Sequence, residues 1–248
     1  MENLQGKEMS TLKHYKEEIE KLGYQVLYIG LHGSNNYGLQ DEFSDVDAKV
    51  IVLPSLTDIV FQRKVSTVKE FKTGNCDIKD LSTFYSVAKK GNFSFLEIFH
   101  SEYWIGDAYL RDLFKTVPIN QMSIVGAMME KFKAFTHPYP SKAKEFEKFG
   151  ADPKQRHHVF RLEDLLYSKE LAEDPTTTHL IYSGERQKEM IKMKRELDPA
   201  LIEEYKAEME EKVLKARANV KPMIEIDYSE QIGEYLMNKL KEELAKDR

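Results

Sequence analysis

The chain has 248 residues, 41% hydrophobic and 32% charged, which is enough for one substantial domain or two small ones. Its 37 Lys and Arg against 42 Asp and Glu leave a formal charge of −5, which argues against a protein whose main task is covering duplex phosphate. The single Cys76 excludes an internal disulfide and any cysteine-rich zinc module. No apolar run approaches the roughly 20 residues of a membrane span, so no membrane partner is expected and the cytoplasm is the expected location.

The polar opening Met1–Ser10, with acidic Glu2 and no hydrophobic segment behind it, predicts neither a secretory nor a transit peptide and no ordered element. Thr11–Leu22 has apolar and charged residues at helical spacing. Tyr24–Ile29, running into Gly30, is rich in strand formers; Val46–Leu53 is a second strand and Val65–Phe71 a third, followed by an edge that carries Asp77. Helix returns over Leu81–Lys90, Phe93–Phe99 and Asp107–Phe114, and beyond Pro118 over Gln121–Phe135. His137-Pro138-Tyr139-Pro140 breaks the pattern, and Lys154–Leu171 reads as one helix. Asp198-Pro199 supplies a cap and a first-turn proline for a helix to about Ala218, and Ser229 opens a closing helix. Strands are thus confined to the first half. The expected fold class is α+β, a mixed β-sheet flanked by helices in residues 1–115, followed by a helical domain in 116–248.

The chemistry gathers between the first two strands, in Gly33-Ser34-Asn35-Asn36-Tyr37-Gly38 and Ser44-Asp45-Val46-Asp47. Residues two apart on a strand point to the same face, so Asp45 and Asp47 form a carboxylate pair suited to a divalent cation. Gly33 and Ser34 bring bare backbone amides up to an anion, and Asn35, Tyr37 and Gly38 suit a short helical turn whose amino end favours phosphate. Mg²⁺ binds through one or two carboxylates plus substrate phosphate oxygens, so a nucleoside triphosphate with Mg²⁺ fits this pattern best. Taken singly, Asp-x-Asp is commonly a solvated turn and Gly-Ser commonly a loop; the conjunction carries the reading.

With Gly33-Ser34-Asn35-Asn36-Tyr37-Gly38-Leu39, Ser44-Asp45-Val46-Asp47, Gly91-Asn92 and Leu96-Glu97, the first 100 or so residues resemble the DNA polymerase beta nucleotidyltransferase superfamily, in its branch of predicted bacterial and phage enzymes. The resemblance implies a nucleotidyltransferase-type sheet, with the helical domain forming one wall of a nucleotide cleft. It also implies two Mg²⁺ ions (Mn²⁺ as an alternative) held by Asp45, Asp47 and a third carboxylate, during in-line transfer of a nucleoside monophosphate from an NTP with loss of pyrophosphate. Gly33, Ser34, Tyr37, Gly38 and Ser44 become nucleotide contacts, Tyr37 either stacking on a base or packing the loop against the first helix. The acceptor stays open among a small molecule, a protein and an RNA end.

Asp77 is assigned as the third carboxylate, because it follows a strand and precedes a helix; its alternative is a turn residue after Gly74-Asn75. Asp80, the rival, sits where a helix-capping Asp is favoured. Farther on, Lys154, Arg156, His157, His158 and Arg161 cluster on one predicted helix. His158 and Arg161, three apart, are neighbours on its surface and become candidates to reach the triphosphate, against the plainer reading of a packed His and an Arg paired with Glu163. Zinc at His157 and His158 is improbable, since adjacent helix residues diverge by about 100°. Cys76 reads as a buried strand residue, and the aromatic stretch Phe93–Trp104 as core. The alternative to an enzyme is a non-catalytic nucleotide-binding or regulatory protein on the same fold; a phosphoesterase would need metal ligands that the sequence does not visibly supply.

Overall fold

The structure, a computed structural model, describes residues 2–137, 150–220 and 227–246. The break expected at Pro138-Tyr139-Pro140 lies outside the described residues. The chain divides into two compact units: Met1–Asn36, Phe43–Val117 and Ile224–Arg248 form the first, and Tyr37–Glu42 with Pro118–Met223 the second.

The first unit is a five-stranded sheet between helices, which gives the α+β class. In chain order it contains α1 (Glu2–Lys21), β1 (Gln25–His32), β2 (Asp47–Leu53), α2 (Leu56–Val60), β3 (Ser66–Phe71), β4 (Gly74–Asp80), α3 (Leu81–Ala88), α4 (Phe93–His100), β5 (Trp104–Gly106) and α5 (Ala108–Lys115). The strand order is β3-β4-β2-β1-β5, with β2 and β4 parallel and every other neighbour antiparallel. A register shift between Val26 and Tyr28 in β1 sets which of its side chains face each side. On one face Ile29, Leu31, Ala48, Val50, Cys76 and Ile78 pack against Leu12, Tyr15 and Ile19 of α1. On the other, Tyr28 meets Phe99, which stacks on Phe114 beneath α3–α5.

Two expectations need correction. The first helix begins at Glu2, not Thr11: Glu8 is buried and Met9 packs on the core, so the polar opening has an inner face. β1 runs two residues past Gly30, because this glycine lets α4 approach. A Cβ there would lie 2.7 Å from the Ile98 carbonyl oxygen and 2.9 Å from the Ile98 Cβ. Gly30→Ala is therefore expected to lower stability by about 1–3 kcal/mol through forced backbone displacement. Urea unfolding followed by the fluorescence of Trp104, the chain's one tryptophan, checks this.

The second unit contains α6 (Gln121–Thr136), α7 (Pro153–Leu166), α8 (Lys169–Glu173), α9 (Gly184–Arg195) and α10 (Ile202–Asn219). Its core includes Val125, Met128, Val159, Leu162, Met190 and Val213. The single helix expected over Lys154–Leu171 is two, since Ser168 ends the run and caps α8 by accepting the Leu171 amide at 3.0 Å. Asp198 caps as expected, but Pro199–Leu201 is a 3₁₀ turn leading into α10. Segment 37–42 is fastened within this unit: the Tyr182 amide donates to the Tyr37 carbonyl at 2.8 Å, and Arg195 clasps Asp41 through two bonds of 2.6 and 2.7 Å. The closing helix, α11 (Ser229–Lys246), belongs to the first unit, where the Tyr235 hydroxyl donates to Asp107 at 2.8 Å.

No helix among the described residues is long and apolar enough to cross a membrane.

Candidate active site

Side-chain alternation turns Ala48, Val50, Cys76 and Ile78 towards α1, and it turns Asp47, Lys49, Asn75, Asp77 and Lys79 to the opposite face of β2 and β4. Pairing between strands then builds a polar lattice. His32 at the end of β1 is the register partner of Asp47, and Lys49 is the partner of Asp77. The Asn75 amide donates to Asp47 Oδ1 at 3.0 Å, fixing that carboxylate at the head of its strand. A cavity of about 430 Å³ opens here, lined by His32, Asp47, Asn75, Asp77 and Lys79 with Ser66–Val68 of β3.

The charges of this face are arranged in two tiers. At the cavity, Lys79 Nζ lies 2.9 Å from Asp77 Oδ1 and 3.0 Å from Ser66 Oγ. Beneath it, Lys49 and Glu97 of α4 are 5% and 2% exposed, with 3.4 Å between Nζ and Oε1. Ser94 Oγ accepts from the same ammonium at 3.2 Å, and His32 Nδ1 stands 3.6 Å from the same Glu97 oxygen. The Phe95 ring serves both cations, 5.5 Å from Lys49 and 5.4 Å from Lys79.

The loop after β1 is a 3₁₀ turn, Gly33–Asn35. Gly33 has φ 81°, the left-handed region glycine favours, and a Cβ added to it would meet nothing within 4 Å, so space adjoins the turn. Its two asparagines are structural. Asn35 Nδ2 donates to the Asp45 carbonyl at 3.0 Å, and buried Asn36 donates to the Leu31 carbonyl at 2.7 Å while accepting from Ser101 Oγ at 2.8 Å. Tyr15 of α1 holds the approach to β2 by donating to the Val46 carbonyl at 3.0 Å. Burial pushes its hydroxyl up to about 12, which keeps it a neutral donor.

Asp45 is exposed in the loop just ahead of β2, outside the residues that line the cavity. Asp77 lies inside β4, not in a turn, because the β3–β4 turn closes earlier, at Phe71–Gly74. Asp80 is the α3 cap, accepting the Thr83 amide at 2.8 Å and the Val65 amide at 2.8 Å. Cys76 is buried towards α1, and that burial pushes its thiol up, which removes it from nucleophilic chemistry. Gly33, Ser34, Ser44, Asp45, Asp47 and Asp77 all belong to the first unit, and Tyr37, Gly38, His158 and Arg161 to the second. There Tyr37 is buried with its ring centroid 4.0 Å from the Arg161 guanidinium, and Gly38 offers its carbonyl to Gln187.

Among the described residues no group of three or more His, Cys, Asp or Glu side chains is gathered to hold a metal by itself. Asp47 and Asp77 are diagonal neighbours on adjacent strands and face one cavity, the two carboxylates that a divalent cation would use there.

No family model matches this chain, and no curated protein matches it. Among solved structures it is similar to a nucleotidyltransferase-like protein from Exiguobacterium sibiricum 255-15, with 12% identity and a TM-score of 0.31 over 96% of this chain and 91% of that one. The chemistry of the site follows from the chain's own residues.

Proposed function

We propose that this protein is a Mg²⁺-dependent nucleotidyltransferase that moves a nucleoside monophosphate from an NTP to an acceptor hydroxyl. The observation that supports it most is the pair Asp47 and Asp77, set on neighbouring parallel strands at one cavity, with the Gly33–Asn35 turn following the strand that lies on the other side of Asp47. In this reading Gly33 and Ser34 hold the β- and γ-phosphates with amide and hydroxyl donors, and Asp77 takes the proton of the attacking hydroxyl. The hydroxyl oxygen forms its bond to the α-phosphorus as the α–β bridging bond breaks, and pyrophosphate carries away that electron pair. A divalent cation would be held by Asp47 and Asp77, with Asp45 of the loop ahead of β2 as the further carboxylate, and would supply charge neutralisation at the phosphate oxygens.

One observation favours the second reading, a nucleotide-binding protein without catalysis: Lys79 already neutralises Asp77. Pyrophosphate release separates the two. Each of ATP, GTP, CTP and UTP is supplied with Mg²⁺ or Mn²⁺, with and without RNA and cell extract, to wild type and to Asp45→Asn/Asp47→Asn. Release that vanishes in the double variant is the expected result, and labelled nucleotide then identifies the acceptor as a small molecule, a protein or an RNA end. Nucleotide binding without release in any mixture sinks the enzyme reading.

A further inference from the structure

Among the described residues β3 ends the sheet, and one side of its backbone ladder is an open edge. Its pairing with β4 fixes what that edge offers, because hydrogen-bonded partners alternate with non-bonded ones in an antiparallel pair. Just ahead of β3 the Asp80 amide donates to the Val65 carbonyl at 3.1 Å, so the bonded partners that follow are Thr67 with Ile78 and Lys69 with Cys76. The amides and carbonyls of Ser66, Val68 and Glu70 therefore point outward, away from β4. All three residues are exposed. The strand has no proline and its register with β4 runs unbroken from Ser66 to Phe71, so it lacks the usual guards of an open edge.

The same edge borders the candidate active site. Ser66, Thr67 and Val68 line the cavity, and Val68, 61% exposed, is the register partner of Asp77. Alternate residues share a face, so a residue placed opposite Val68 on a new strand faces the cavity, in one row with Val68 and Asp77. Charge sets the character of such a strand: Arg63, Lys64, Lys69 and Lys72 lie in or beside β3 against one acid, Glu70, and an acidic segment complements them.

We infer that the acceptor is an acidic protein segment that adds to the sheet antiparallel to β3, with a tyrosine opposite Val68 as the attacking hydroxyl. This rests on the transfer reading and names its substrate class. Main-chain bonds to Ser66, Val68 and Glu70 hold the segment, the general mode of recognition by strand addition. Distance selects the side chain. The new strand lies two strand spacings from β4, about 9.5 Å, which a serine or threonine hydroxyl does not bridge and a tyrosine does, its ring laid across Val68. The phenol proton passes to Asp77, the phenolic oxygen bonds to the α-phosphorus as the α–β bridging bond breaks, and pyrophosphate leaves with that electron pair.

The probe is an acidic peptide of alternating glutamate and valine with a central tyrosine, given to the full chain. Hydrogen exchange of the Ser66, Val68 and Glu70 amides is followed by NMR, and transfer by nucleotide labelled at the α-phosphate in the presence of Mg²⁺. Saturable binding that slows exchange of those three amides is expected, with label on the tyrosine and none on a peptide carrying serine in its place. Val68→Pro removes an outward amide and leaves the bonds to β4, so it should weaken binding at least tenfold with the protein still folded. Should it unfold, the wild-type exchange pattern decides. Absence of peptide binding, binding that leaves the three amides unprotected, or affinity unchanged in folded Val68→Pro overturns the inference. So does pyrophosphate release in which the label goes to RNA or a small molecule and never to the peptide. Protection of the same amides without peptide, growing with protein concentration, gives the edge to a second copy of the chain and likewise overturns it. Peptide docked on β3 with no pyrophosphate from any mixture is failure of the transfer reading, with the docking intact.

Discussion

Glu97→Ala is expected to destabilise the first unit by about 3–5 kcal/mol, because it leaves the Lys49 ammonium buried with no anion. Lys49 is 5% exposed, and without Glu97 it keeps only Ser94 Oγ at 3.2 Å and the distant face of Phe95. The loss measures the stranded charge more than the worth of the pair, so removing both charges should recover most of it. Lys49→Met/Glu97→Leu is expected within about 1–1.5 kcal/mol of wild type, since both side chains then pack as hydrophobes of similar volume. Urea unfolding of the two single variants and the double closes the cycle, read through Trp104. Trp104 lies in β5 and stacks on Tyr28 at 5.5 Å, so it reports on the unit that holds the pair. A Glu97→Ala loss below about 1 kcal/mol would mean that the ammonium reaches water in the native state.

That buried pair also marks the limit of what the sequence disclosed. The carboxylates of β2 and β4 were legible because strand alternation is local: Asp47 sits between Val46 and Ala48, and Asp77 between Cys76 and Ile78, each a polar residue flanked by core residues. Lys49 obeys the same rule, two residues past Asp47, but a lysine in an apolar strand carries no signal of function without its partner. Its partner, Glu97, is 48 residues away, and no local pattern ties the two together. His32 opposite Asp47 depends on the register shift in β1, which no pattern of apolar residues encodes. Helix α9 is hard to read because its sequence, GERQKEMIKMKR, is more than half charged and has few apolar residues; its burial of Met190, Met193 and Lys194 comes from tertiary packing. The short strand β5 is three residues long, and its pairing with β1 supplies the order that its own sequence does not.

Asp77→Asn and Asp80→Asn should fail in opposite ways. Asp77 faces the cavity, half-buried, and its carboxylate is held by the Lys79 side chain at 2.9 Å. Its amide variant keeps the shape of the side chain and the sheet, so the unfolding midpoint should barely move, while pyrophosphate release should fall about 10²–10⁴-fold if Asp77 receives the hydroxyl proton. Asp80 is 2% exposed and holds four functions at once, taking the Thr83 amide and hydroxyl and the Val65 amide while ending β4. Its amide variant turns one accepting oxygen into a donor aimed at a donor. A loss of about 1–2 kcal/mol should follow, with release per folded molecule unchanged. Lys79→Met sharpens the comparison. Freed from its ammonium, Asp77 should take up a divalent cation at lower Mg²⁺ concentration, provided its carboxylate lies at the cation. Release that persists in Asp77→Asn but is lost in Asp80→Asn, with both proteins folded, would transfer the catalytic role to the cap residue and break the link between this sheet face and the chemistry.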